Sequence, residues 1–260
     1  MNESPSNPAT QRGVAVRVRG LCKRLQGTPV LQDIDLDVAP GEIFVIMGPS
    51  GSGKSVLLRH LSGLMEPDAG EVLVGGQPVR APELMPDYRL AMVFQSGALL
   101  NSLTVGENVG LFLREHRLKP PAEIARIVAE KLAVVGLKGQ EHKLPAELSG
   151  GMKKRAAIAR ALVIDPQLIL YDEPTSELDP VSASVIAEEI VRLQRRIGVT
   201  SIVVSHDRDL VFGIADRLAV ISGGRILAVG TPARIRAHPN AELQAFLNVD
   251  FQFPSLKQTV

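Results

Sequence analysis

Hydrophobic and polar residues change their spacing three times along this chain. Val14, Val16 and Val18 alternate with polar neighbours, and Ile34, Leu36 and Val38 do the same. That period of two predicts half-exposed strands of an antiparallel edge. Ile43 to Met47 is apolar throughout and predicts a buried strand; Glu71 to Val74 predicts another, bounded by glycines. Leu90 to Phe94 is also apolar and ends at Gln95, so it reads as a buried strand delivering one polar side chain at its end. Helical spacing then takes over, with helices expected at Val105 to His116, Ala122 to Val135 and Gly150 to Leu162. Strands return at Leu168 to Asp172 and Ser201 to Ser205, separated by a helix on which Val185, Ile186, Ile190 and Leu193 recur at period 3.6. Leu218 to Ser222 and Arg225 to Val229 are the last two strands expected.

Strand alternating with helix implies a parallel α/β sheet, whose ligands sit beyond the carboxyl ends of its strands. Residues 14–95 and 165–230 would build that core, with 96–164 inserted as a helical subdomain. Residues 1–13 are polar, carry two prolines and read as a disordered lead-in, while 231–260 hold C-terminal helices and a tail. With 260 residues, 45% of them hydrophobic, the chain can bury a full core. A net charge of +1 gives no general attraction to nucleic acid, and none is expected as a partner. The single Cys22 cannot pair internally. No signal-like start or spanning apolar run is present, so the chain is expected in the cytosol, peripheral to any membrane it serves.

Between the Ile43 to Met47 strand and a helix beginning near Lys54 lies GPSGSGKS: Gly48, Pro49, Ser50, Gly51, Ser52, Gly53, Lys54 and Ser55. Strand, glycine-rich turn and helix N-terminus together form a P-loop, which turns free backbone N–H groups and the helix dipole toward a phosphate. Lys54 offers a mobile charge for the β- and γ-phosphates, and the Ser55 hydroxyl is a hard oxygen suited to Mg²⁺. In LILYDEP, two carboxylates follow a buried strand. Asp172 is expected to hold Mg²⁺, and Glu173 to accept hydrogen bonds from an attacking water. LSGGM places Ser149, Gly150 and Gly151 at the start of a helix, a second anion-binding nest. One triphosphate needs only one nest, so the spare implies a partner.

The order of P-loop, Gln95, LSGG, LILYDE, SELD at Ser176 to Asp179 and SHD at Ser205 to Asp207 resembles the ABC-type ATPases from Val14 to about Val229. The resemblance implies an α/β P-loop NTPase with a RecA-like core, antiparallel β edge and inserted helical subdomain. ATP and Mg²⁺ would be its cofactors, held in a head-to-tail homodimer between the P-loop of one subunit and the LSGG nest of the other. Ser149 and Gly151 would then touch the γ-phosphate in trans. Gln95 would join the Mg²⁺ and water site to the helical subdomain, His206 would contact the γ-phosphate and position Glu173, and Asp179 would lie between the two sites. The stretch MVFQSGALLNSLTVGENVGLFLREH with LSGGM is similar to the Mla-type, or Mkl and Mce-associated, phospholipid-trafficking ATPases. That family implies a multispanning permease, a periplasmic Mce-domain lipid carrier, a STAS-domain subunit in some systems, and a place on the cytoplasmic face of the bacterial inner membrane. The same motor for another substrate, such as amino acid import or toxic-organic export, is the alternative. A chromosome- or repair-type mechanical ATPase would need coiled-coil arms that this chain lacks.

Three positions depart from the family pattern: Met152 stands where glutamine is usual, Leu25 where an aromatic stacks on adenine, and Glu177 where a small residue is usual. Losing the stack costs about 1 kcal/mol, so ATP is expected to be only modestly preferred over GTP. Leu99, Leu100, Leu103 and Val105 either receive the permease's coupling helix or belong to the core. Phe246, Phe251 and Phe253 either reach a neighbouring subunit or dock on their own domain. His60, His116, His142 and His238 are expected to be structural.

Overall fold

A computed structural model describes residues 13–79 and 89–248. The chain opens with a hairpin of β1 (Val16–Leu25) and β2 (Thr28–Val38), turned by Gln26 and Gly27, both at positive φ. Two consecutive left-handed residues match the right-handed twist of the flanking strands. With β4 (Ala69–Val74) and β5 (Gln77–Pro78) they form an antiparallel sheet ordered β2-β1-β4-β5. The second sheet contains β3 (Ile43–Met47), β6 (Leu90–Val93), β7 (Leu168–Asp172), β8 (Thr200–Ser205), β9 (Arg217–Ser222) and β10 (Arg225–Gly230). Its order is β10-β9-β3-β8-β7-β6, parallel except for β10. Buried Thr200 ties the start of the chain to this sheet: its Oγ1 donates to the Val14 carbonyl at 2.8 Å and accepts from Gly41 N–H at 2.9 Å.

The helices cover both faces. Leu57, Leu58 and Leu61 of α1 (Lys54–Leu61) join the core shared by the antiparallel sheet and one face of the parallel sheet. The other face shares a continuous core with α2 (Val105–Glu115), α3 (Pro121–Val134), α4 (Gly150–Leu162), α5 (Pro180–Ile197), α6 (Arg208–Ile214), α7 (Pro232–Arg236) and α8 (Ala241–Leu247). A reciprocal cap opens α2: Glu107 N–H donates to Thr104 Oγ1 at 3.2 Å, and Thr104 N–H to Glu107 Oε2 at 2.7 Å. Buried Asn108 then bonds the backbone of Leu100 in both directions, holding the preceding loop to the helix.

The structure changes two expectations and decides others. β6 is the edge of its sheet, with alternating burial, and Phe94 just beyond it is exposed; an apolar run alone cannot distinguish an edge from a centre. Val185 is exposed, and the buried stripe of α5 is Ile186, Glu189, Ile190 and Leu193. Val105 is fully buried core, whereas Leu100 is exposed. Phe246 packs on the chain's own core; Phe251 and Phe253 lie outside the described residues, as does the lead-in through residue 12. His60 is buried and bonds the Val56 carbonyl through Nδ1 at 2.7 Å.

Candidate active site

Strand register assembles the site. Met47 of β3 pairs with Ser205 of β8, and Asp172 of β7 pairs with Val204, so the three strands end side by side. Their C-terminal ends therefore project three groups of residues over one edge: the glycine turn after β3, Asp172 and Glu173 at β7, and Ser205 and His206 at β8.

In the P-loop, Gly53 at φ 101° is the N-cap of α1, a backbone conformation that an L side chain rarely adopts. Lys54 is buried, and its ammonium donates back to the carbonyls of Gly48 at 2.8 Å and Pro49 at 2.9 Å. Burial lowers its pKa, while the charges of Glu173 and Asp172 oppose that shift. Ser55 donates to Asp172 Oδ1 at 3.4 Å. Burial first, and Glu173 second, hold the Asp172 carboxyl above its ordinary range, against the Ser55 hydrogen bond. A cation between these oxygens would relieve that cost. The donors here are hard oxygens, the Ser55 hydroxyl and the Asp172 carboxylate, and among the described residues no three or more His, Cys, Asp or Glu are grouped to hold a metal. That fits Mg²⁺, which binds through one or two carboxylates, substrate phosphates and retained water.

Glu173 sits at φ 46° in the left-handed region, immediately after β7. Its Oε1 lies 2.9 Å from His206 Nδ1, and its Oε2 accepts from Ser205 Oγ at 3.3 Å and His206 N–H at 3.4 Å. The end of β8 thus fixes both carboxylate oxygens. A positive φ on a non-glycine residue costs of order 1–3 kcal/mol and is maintained by its surroundings. Asp207 caps α6, accepting from Asp209 and Leu210 N–H.

The second nest opens α4. Ser149 caps α4, accepting from Met152 N–H at 3.3 Å, and Gly150 and Gly151 lie against Leu178 and Ser182. Asp179 caps α5, accepting from Ser182 N–H at 3.0 Å and Oγ at 2.6 Å. Gln95 is exposed, with its carbonyl accepting from Lys154. Sequence reasoning gives no separate role to Ser205, Lys154 or Arg160. Ser205 enters it only as part of SHD, and a cation on a helix carries no local signal of the distant carbonyls it meets.

The surroundings are open. Pro49, Ser50, Gly51, Ser55, Gln95 and Ser149 are all exposed, so this chain alone does not exclude water from the strand ends. The arrangement can cradle a triphosphate, hold a divalent cation and orient a water against a fixed carboxylate.

Known proteins with the same pattern agree. Residues 31–176 match the ABC transporter family model. The intermembrane phospholipid transport system ATP-binding protein MlaF of Escherichia coli K12 is 38% identical over 98% of this chain and 96% of its own. The probable ribonucleotide transport ATP-binding protein mkl of Mycobacterium leprae is 40% identical over 91% of this chain and 69% of its own. Among solved structures, the dimeric post-hydrolysis state of the ATP-binding cassette MJ0796, bound to ADP and Pi, superposes with a TM-score of 0.74 at 30% identity. That match covers 84% of this chain and 98% of the other. The chain belongs to the ABC transporter family and is an ATP-hydrolysing subunit of it.

Proposed function

We propose that this ATPase drives a transporter moving phospholipid between the inner and outer membranes of a bacterium. The observation carrying the substrate is its similarity to MlaF, which runs through nearly the whole of both chains. Two copies would close head to tail over two ATP molecules, and a multispanning permease would receive the motion. An Mce-domain lipid carrier, and a STAS-domain subunit on the ATPase, complete the assembly. No helix among the described residues is long and apolar enough to cross a membrane, which suits a peripheral position on the cytoplasmic face of the inner membrane.

The exposed P-loop and the separate Ser149–Gly151 nest support the dimer, because a second copy would supply the missing wall and exclude water. In the cycle, Lys54 exchanges its bonds to the Gly48 and Pro49 carbonyls for phosphate oxygens. Ser55, Asp172 and Gln95 are the residues that would hold Mg²⁺, which neutralises phosphate charge when bound. Glu173, held by Ser205 and His206, orients the water that attacks the γ-phosphorus, and the bond to the bridging oxygen breaks to give ADP and phosphate. Closure by ATP and reopening after hydrolysis pass through Gln95 to the permease.

Glu173→Gln is expected to retain ATP binding while lowering turnover by about 10²-fold or more, because the positioning group is lost and the cradle stays. Near-normal turnover would move that role elsewhere. For the substrate, the tagged protein is purified from its native membranes in mild detergent, and co-purifying proteins and lipids are identified by mass spectrometry. A permease with an Mce-domain partner and enriched phospholipid is the expected result. A permease with another binding protein and no enriched lipid discards the substrate and keeps the motor.

A further inference from the structure

Lys154 is a buried cation on α4, 5% exposed, at the meeting point of three segments. Its ammonium donates to the Gln95 carbonyl, to the Glu173 carbonyl at 3.5 Å and to Ser176 Oγ at 3.4 Å. Ser176 Oγ in turn donates to the Glu173 carbonyl at 2.8 Å, closing a small network around the turn that carries the catalytic carboxylate. That turn holds two non-glycine residues at positive φ, Glu173 at 46° and Glu177 at 65°. Such a backbone persists only where its surroundings over-determine it.

The network belongs to the helix of the second nest. Lys154 lies one turn beyond Gly150, and the nest glycines rest against Leu178 and Ser182, just past the same turn. Further along α4, Arg160 donates to the carbonyls of Gly97 at 2.9 Å and Ala98 at 2.6 Å. The Gln95 loop is thus pinned to α4 by two cations, and the Glu173 turn by one of them. Burial lowers the pKa of Lys154, and Glu177, Glu173 and Asp172 oppose that shift, in that order.

We infer that Lys154, with Ser176, is a positioning residue for hydrolysis, locking the Glu173 turn and the Gln95 loop to the helix that presents the Ser149–Gly151 nest. In the dimer the nest serves the partner's ATP, whereas Glu173 and Gln95 serve the chain's own. The lock then makes each subunit one rigid link between the two ATP sites. It rests on the proposed catalytic roles of Glu173 and Gln95.

The test compares Lys154→Met, Lys154→Arg, Ser176→Ala and Arg160→Met in the full chain. Hydrogen exchange is followed without nucleotide, and kcat and KM are measured for Mg·ATP. Lys154→Met should speed exchange about tenfold in peptides covering both 93–99 and 173–179. It should lower kcat about tenfold with KM changed less than about threefold, because the cradle is intact. Lys154→Arg should restore most of kcat, since it keeps the charge and the donors, and Arg160→Met should loosen 93–99 alone. Ser176→Ala removes the hydroxyl that joins Lys154 to the Glu173 carbonyl and should lower kcat about threefold or more. Unchanged exchange at 173–179 in Lys154→Met, or unchanged kcat in Ser176→Ala, overturns the lock; the second result decides if Lys154→Met does not fold. Normal turnover in Glu173→Gln would instead remove the catalytic reading, while the exchange data still measure the clamp.

Discussion

Gly48 and Gly51 stand three residues apart in one loop and are glycine for different reasons. A Cβ on Gly48 would lie 2.1 Å from the Ile221 carbonyl oxygen, a collision with backbone that nothing nearby can relieve. Gly51 has open space around it but sits at φ 78°. Gly48→Ala should therefore destabilise by about 1–3 kcal/mol, as overpacking does. Gly51→Ala carries the left-handed backbone penalty alone, roughly 1–2 kcal/mol. Denaturant unfolding of the two variants checks the order, and equal losses would mean that the loop relaxes away from Ile221. Spacing identified both glycines as a phosphate loop. It could not show the contact with Ile221, which comes from β9 at the other end of the chain. Lys154 and Arg160 show the same limit, since a charge on a helix reveals neither its burial nor which carbonyls it meets.

At the scale of the element, α5 carries a buried charge within its apolar stripe. Glu189 is 4% exposed; its Oε2 accepts from Arg192 at 3.1 Å, while its Oε1 has no partner among the described residues. Burial holds the carboxyl above its ordinary range, with Arg192 opposing. A raised carboxyl binds its proton more tightly in the folded chain than in the unfolded one. The stability this gives is complete below the unfolded value, about 4.3, and is lost as pH rises through the folded value. Glu189→Gln cannot ionise and avoids that loss. Its thermal midpoint should exceed the wild type's at pH 8, with the gap narrowing as pH falls toward 5. A lower midpoint at pH 8 would show that the pair with Arg192 outweighs burial. Period alone misjudged this helix, because Val185 fitted an apolar face as well as Ile186 did, and only packing against the sheet exposed one and buried the other. β6 is the parallel case among strands.

At the scale of the whole molecule, the two nests make a prediction about assembly. Mg·ATP should convert Glu173→Gln from monomer to dimer in light scattering, whereas Mg·ADP should not. Adding Ser149→Arg should prevent that dimer and leave nucleotide affinity in the monomer within about threefold, because in the head-to-tail arrangement the nest serves the partner's ATP. Loss of nucleotide affinity in the monomer would place the nest in the chain's own site and remove the head-to-tail arrangement.

The sequence by itself determined the α/β class, the phosphate loop, the paired carboxylates, the spare nest and the order in which they occur. Those features depend on residue type and short spacing, which local backbone geometry converts directly into strand, turn and helix start. Only the tertiary structure decided which strand is an edge, that Ser205 and His206 together fix Glu173, and that one lysine joins the Gln95 loop to the Glu173 turn. Such relations are set by strand order and register. Residues 173 and 206 stand 33 positions apart, and 95 and 154 stand 59 apart. They meet because β7 and β8 end side by side and α4 packs across β6, and no local pattern in a chain encodes which distant segments will share an edge.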